Sequence, residues 1–288
     1  MRNREKRERI QEWLVSLPSL FWLSLFFLLP TLFVFAIALR PSTPFGGMGE
    51  GWTLEHLRQL TDPNFLAVAW RTLWISVITT LICILLSVPV GYHLARISPK
   101  WRNFSLMLVI IPFWTNFLIR VFAWKVLLHP EGPIKHLLVF FGLIEPQAPL
   151  LYNSAAVVLV SVYTFLPFTI LPIYAAADKF DFLLLEAARD LGAKSFQAFR
   201  RIFLPGIRRG LYTAVLFVFI PSLGSYIIPD IVGGPSGEML GNKIAQRVFV
   251  DRNLPQASAL SVVLILSVLA PVVAILFLQR KREKPEIF

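Results

Sequence analysis

Charge is what this 288-residue chain has least of: Asp, Glu, Lys and Arg together make 16% of it, against 56% hydrophobic residues. Soluble domains carry roughly a quarter charged residues, so an ordinary soluble fold is excluded and the chain reads as a bilayer protein. Cysteine is nearly absent. Cys83 stands alone, which excludes a disulfide framework and a thiolate metal cluster. The four histidines, His56, His93, His129 and His136, are scattered without ligand spacing, so no metal site is expected. There is no HExxH, no nucleophile elbow and no glycine-rich phosphate loop with its lysine. No catalytic residue is therefore assigned, the chain reads as no enzyme by itself, and no cofactor is expected to bind it. No internal repeat is evident, which argues against a secondary transporter built from inverted halves.

What is present is long apolar sequence. About twenty apolar residues cross roughly 30 Å of hydrocarbon, and six runs are long enough: Leu17 to Leu39, Ala67 to Leu94, Phe104 to Trp124, Ser154 to Ala176, Gly210 to Val232 and Ser258 to Leu278. Pro89, Pro112, Pro167, Pro172, Pro221 and Pro271 are expected to interrupt or kink them. The expected fold is an all-α bundle of six transmembrane helices. Lysine and arginine concentrate at the N-terminus, after the second run, between runs four and five, and in the tail, which places both termini in the cytoplasm. The net charge of +11 is thus a topology signal and a contact for anionic membrane lipids, and no nucleic acid is expected. Residues 1–16 form a cytoplasmic N-terminal segment, either an interfacial amphipathic helix over Arg2 to Trp13 or a frayed basic leader. The apolar run after it is too long for a cleaved signal peptide. Residues 17–279 form the membrane domain, with a cytoplasmic loop at about 177–209, and 280–288 form a basic tail. A short amphipathic helix is expected at Lys135 to Leu143, on the outer side.

The loop is the most informative stretch. Asp181 can cap a helix beginning near Phe182, along which Leu183, Leu184, Ala187, Ala188 and Leu191 recur on one face. Gly192 can end it in a left-handed conformation. Ser195 can cap a second helix with an apolar stripe of Phe196, Phe199, Ile202 and Phe203, stopped by Pro205.

The positions of Glu186, Ala187, Ala188, Gly192, Ile202, Leu204 and Pro205 fill every fixed place of the pattern E-A-A-x3-G-x9-I-x-L-P. That loop resembles the coupling loop of importer-type ABC transporter permeases. The resemblance implies a type I importer permease in the inner membrane of a bacterium, forming half of a pore whose other half is a second permease subunit, as a heterodimer. It implies an ABC ATPase dimer that uses ATP and Mg, and an extracytoplasmic solute-binding protein. On this basis Glu186 reaches a basic group of the ATPase, Ala187 and Ala188 permit its close approach, and Gly192 sets the angle between the two helices. The alternative for the loop is a docking site on a membrane scaffold that transports nothing.

Two further stretches, Ile111 to Arg120 with Ala123-Trp124, and Leu223 to Tyr226 through Asp230, Gly233 and Gly234 to Gly241-Asn242, look like parts of spermidine/putrescine permease subunits. The implied cargo is a polyamine. Other solutes carried on the same architecture are the alternative: an amino-acid derivative, ferric iron, thiamine, sulfate or molybdate. Read from the residues alone, Asn116 and Arg120 share a face of the third run, where Asn116 can line a pathway or glue helices and Arg120 can position its helix. Asp230 is the acid best placed for a cation, near the outer end of run five, where glycine and proline can open the backbone. Tyr163, Phe165, Phe168 and Tyr226 can offer cation–π faces to the pathway or simply pack.

Overall fold

The computed structural model describes residues 15–43 and 46–282. Residues 1–14 of the predicted N-terminal segment, with its amphipathic helix, and 283–288 of the basic tail lie outside the described residues. The described chain is helical; a lone antiparallel bridge joins Ser42 to Met48. In order, the helices are α1 (Val15–Ala38), α2 (Glu55–Gln59), α3 (Pro63–Leu94), α4 (Pro99–Ile110), α5 (Phe117–Leu127), α6 (Pro133–Phe140), α7 (Ser154–Asp178), α8 (Leu183–Asp190), α9 (Ser195–Gly206), α10 (Arg208–Leu223), α11 (Leu240–Phe249) and α12 (Leu254–Arg282). Four of these, α1, α3, α7 and the stretch Leu254–Val273 of α12, are long and apolar enough to cross a bilayer, and the number rises to six if each of two bent helix pairs counts as one span.

The chain divides into two compact units. The first takes residues up to Phe65 together with Lys243–Leu266. Its core is Ala38, Ala259 and Val262, with Val34, Phe35, Leu57 and Leu60 packed around them. Most of α1 shows its apolar side chains to the surroundings, as a helix in contact with lipid or another chain does. The second unit, Leu66–Asn242 with the chain from Ser267 on, contains everything the motifs single out. Its central post is α7, begun by Asn153, whose side chain accepts a hydrogen bond from Ala156 N–H at 2.8 Å. On α7 pack α10 and α3. Cys83 of α3 is buried with Val162 and Phe165 of α7 and Val218 of α10, and the Ser87 and Thr169 hydroxyls meet between α3 and α7.

Three expectations are corrected. The third apolar run is no straight span: α4 ends in a tight turn at Ile111–Trp114, and α5 leaves at 92° to it. Run five also breaks, since α10 stops at Leu223 and a separate wide turn follows at Pro229–Gly233. The prolines are not what breaks the chain. Pro89, Pro167, Pro172, Pro221 and Pro271 all lie inside continuous helices and interrupt none of them, whereas Pro112 sits in the tight turn after α4. A membrane bundle tolerates a missing N–H where neighbouring groups resatisfy the freed carbonyl. The breaks fall instead at Thr115–Asn116 and at Gly224, where the helix ladder has no continuation. A short helix does form near the stretch expected at Lys135 to Leu143, as α6 over Pro133–Phe140, with Lys135 buried.

Candidate functional site

The loop between α7 and α10 is built from its root outwards. Asp181 Oδ1 accepts the Leu183 N–H at 3.0 Å, so this carboxylate does start α8, one residue later than the sequence suggests. The buried face of α8 is Leu185 with Ala188 behind it, whereas Leu183, Leu184 and Leu191 are exposed. The apolar face expected from spacing is thus turned outward, because the short helix packs through one leucine only. Glu186 and Ala187 are exposed as well. Gly192 closes α8 with φ +90°, and a Cβ there would meet nothing within 4 Å, so the turn needs glycine for its backbone and not for space.

In α9 two local expectations fail. Lys194 occupies the cap position with no side-chain bond, and Ser195 is the first helical residue. Pro205 does not stop the helix, which runs on to Gly206. A wide π turn at Phe199–Phe203, with Leu204 N–H bonded to the Phe199 carbonyl, loosens the backbone ahead of the proline ring and lets it fit. Ile202 and Leu204 are half-buried against the loop core. Phe203 is fully buried within an aromatic bed. Its ring lies 4.9 Å from Tyr92, 5.3 Å from Phe180 and 5.2 Å from Phe199, centroid to centroid. Arg96 covers the outside of this bed, 5.2 Å above the Tyr92 ring, and donates to the Tyr92 hydroxyl at 2.7 Å. A Cβ at Gly206 would sit 2.4 Å from the Phe180 ring, so the helix end presses directly on that phenyl.

At the other end of the unit, Asp230 is exposed on the wide turn Pro229–Gly233. With Glu238, Asn242, Gly234 and two prolines it lines an open cavity of about 350 Å³. The walls are fixed by polar bonds to backbone. Arg71 Nη1 donates to the Pro235 carbonyl at 2.8 Å, Thr72 Oγ1 accepts the Leu240 N–H at 2.9 Å, and the Ser154 hydroxyl bonds the Ser236 carbonyl. Asn242 ties both sides together: its amide donates to the Tyr226 carbonyl at 3.0 Å and its oxygen accepts the Met239 N–H at 3.1 Å. The cavity therefore sets the exposed Asp230 carboxylate, an acceptor for a cationic donor, on a frame braced by the Arg71 guanidinium and the Asn242 amide.

The remaining sequence candidates are scattered. Asn116 is a cap, accepting the Leu118 N–H at 2.8 Å at the start of α5. Arg120 stands 5.1 Å above the Phe113 ring, a contact that spans the 92° bend. Phe165 is buried in the packing between α3, α7 and α10. Phe168 and Tyr163 are partly exposed, each edge-on to another ring, Phe113 and Trp124 respectively. Tyr226 is half-exposed and contributes its carbonyl to the cavity frame. Sequence reasoning missed Tyr92, Arg96, Phe180, Arg71, Thr72 and Glu238. Arg71 had a signal, a lone cation inside an apolar run. The aromatic bed had only a density of phenylalanine that packing equally explains.

Residues 84–283 match the family described as binding-protein-dependent transport system inner membrane component. The chain is 38% identical to the spermidine/putrescine transport system permease protein PotB of Haemophilus influenzae over 84% of both chains. It is 34% identical to PotB of Escherichia coli, over 84% of this chain and 88% of that one. The inner membrane ABC transporter permease protein YdcU of Escherichia coli is 33% identical, over 73% of this chain and 71% of the other. The fold is shared with a chain in the crystal structure of a bacterial ABC transporter involved in the import of the acidic polysaccharide alginate, at TM-score 0.69 and 17% identity over 98% and 100% of the two chains. A loop of this pattern on an all-helical, apolar scaffold and a family match over most of the length lead to one assignment: the chain belongs to the binding-protein-dependent transport system inner membrane components, the permease subunits of ABC importers.

Proposed function

We propose that this protein forms half of the transmembrane pathway of an ATP-driven importer of polyamines and converts closure of a separate ABC ATPase dimer into alternating access. The observation that carries the reading is the Glu186 loop: Glu186, Ala187, Leu183, Leu184 and Leu191 are exposed at its tip while Phe203 is fully buried at its root. A knob wet at the tip and anchored below is what a docking element requires. Ala187 leaves room for close approach, Gly192 fixes the angle of α9, and Ile202, Leu204 and Pro205 shape the arm behind it. Six spans follow if Pro99–Leu127 and the chain leading into α10 each cross once. The lysine and arginine distribution then puts both termini and the loop in the cytoplasm, with the Asp230 cavity outside. ATP and Mg act in the partner ATPase. A second permease completes the pore, and an extracytoplasmic binding protein delivers the solute.

Polyamine cargo is supported by the similarity to PotB proteins and by the cavity, where the exposed Asp230 carboxylate suits an ammonium donor. Tyr226 stands at its rim, whereas Tyr163, Phe168 and Asn116 serve the pathway through the shape of the bundle. The test is reconstitution in proteoliposomes with the ATPase, the second permease and the binding protein, and ATP-dependent uptake of labelled spermidine beside ferric iron, thiamine, sulfate and molybdate. Spermidine uptake is expected. Asp230→Asn is expected to lower it, more for a triamine than a diamine, with basal ATPase activity retained. Uptake of a different solute would move the cargo, and a bound ATPase with no uptake at all would leave a scaffold.

A further inference from the structure

Helix α3 touches both ends of the second unit. Near its C-terminus, Tyr92 packs edge-on against Phe203, Phe199 and Phe182, three rings of the Glu186 loop and its root. Twenty residues earlier in the same helix, Arg71 and Thr72 hold the Pro235 carbonyl and the Leu240 N–H, which frame the Asp230 cavity. At 1.5 Å per residue the two contacts are about 30 Å apart along one unbroken helix. Neither contact is a loose apolar brush. Phe203 has no exposed surface, so its ring cannot shift without moving Tyr92. The Arg71 and Thr72 bonds are directional and tie a side chain of the rod to backbone of the cavity wall. Of the neighbouring helices, α10 begins at the loop but ends at Leu223, short of the wide turn, whereas α7 also reaches both ends, the cavity through Ser154 and Val157 and the loop core through Ile173 and Ala177. Helix α3 differs in meeting the loop's rings with a ring of its own, Tyr92.

We propose that α3 is the rod that couples the docking loop to the outer cavity, with the Tyr92–Phe203 contact as its input and the Arg71 and Thr72 bonds as its output. The proposal rests on the importer reading. Displacement of the loop on ATPase closure pushes Phe203 against Tyr92, α3 moves as a body, and the carbonyls around Asp230 are reset. Tyr92 and Thr72 are positioning residues, since neither meets ATP or solute.

The test uses the reconstituted complex and reads solute transported per ATP hydrolysed. Tyr92→Leu and Thr72→Val are each expected to keep assembly and basal hydrolysis but to lower that ratio by about fivefold, while Tyr92→Phe, which keeps the ring, stays near wild type. Because both break one link, the double variant is expected to be no worse than the poorer single variant; losses that multiply would show independent routes and overturn the rod. A second readout does not depend on uptake. In a Cys83→Ala background, the labelling rate of Ser236→Cys is expected to change severalfold between the ATP-free and ATP-vanadate states, and Tyr92→Leu is expected to abolish that change. An unaltered nucleotide response in Tyr92→Leu sinks the proposal while leaving the importer reading intact. A wild-type complex without ATP-driven uptake would instead remove the importer reading, and the rod with it.

Discussion

The Glu186 loop and the Asp230 turn are both places where an apolar helix gives out, yet they are held in opposite ways. The loop is fastened by rings, with Phe203 enclosed by Tyr92, Phe180 and Phe199. The turn is fastened by single polar bonds from Arg71, Thr72 and Asn242 to backbone atoms. Ring packing is short-ranged and admits more than one offset or edge-on geometry, so an enclosed ring that is pushed carries its neighbours with it and stays packed. A hydrogen-bonded frame has preferred angles and either keeps its geometry or loses a bond. One end is suited to taking a push, the other to holding a shape.

The sharpest way to break this contrast is Phe203→Ala. Emptying a fully enclosed aromatic site costs about 3 to 5 kcal/mol, so thermal unfolding of the purified protein should begin at the loop, seen as early proteolysis near Arg200 and Arg201. Next in size is Thr72→Val, which keeps the shape but leaves the Leu240 N–H without its acceptor, at about 1 to 3 kcal/mol. Hydrogen exchange should quicken across 235–242 and stay unchanged in the loop; if the loop quickens first, the two fastenings are not separate. Gly192→Ala should cost about 1 to 2 kcal/mol from its left-handed backbone, since the space around it is open. Gly192→Asn should recover part of that, and equal melting temperatures for the two would show that the turn can relax. The smallest stability effect belongs to Glu186→Gln, within about 0.5 kcal/mol because the side chain is exposed. Its expected loss is in ATP-driven uptake at unchanged membrane abundance, and full uptake would remove Glu186 from the docking surface.

The same two ends differ in how much of them could be read beforehand. Gly192 was legible because a left-handed turn has few residue choices, and Asp181 because a carboxylate before an apolar periodic run has one common use. The direction of the α8 face was not. Spacing gives a stripe but not which side is covered, and here Leu185 faces in while Leu184 faces out. The break at Asn116 was hidden in the same way, since an uninterrupted apolar run has the same composition whether the helix is straight or bent by 92°. The cavity frame was least legible of all. Its bonds join residues more than 160 positions apart, Arg71 to Pro235 and Thr72 to Leu240, and half of each pair is backbone, which carries no sequence signature.

The π turn at Phe199–Phe203 carries a consequence for insertions and deletions. A π turn holds one residue more than the α turn it replaces, so removing Arg200 or Arg201 would return the arch to ordinary α geometry without shortening the loop by any useful amount. Phe203 and Ile207, both fully enclosed, could then keep their places while Ala198 kept its own, whereas a deletion from a regular α turn would rotate everything beyond it by about 100°. In this stretch the loop holds one residue of slack.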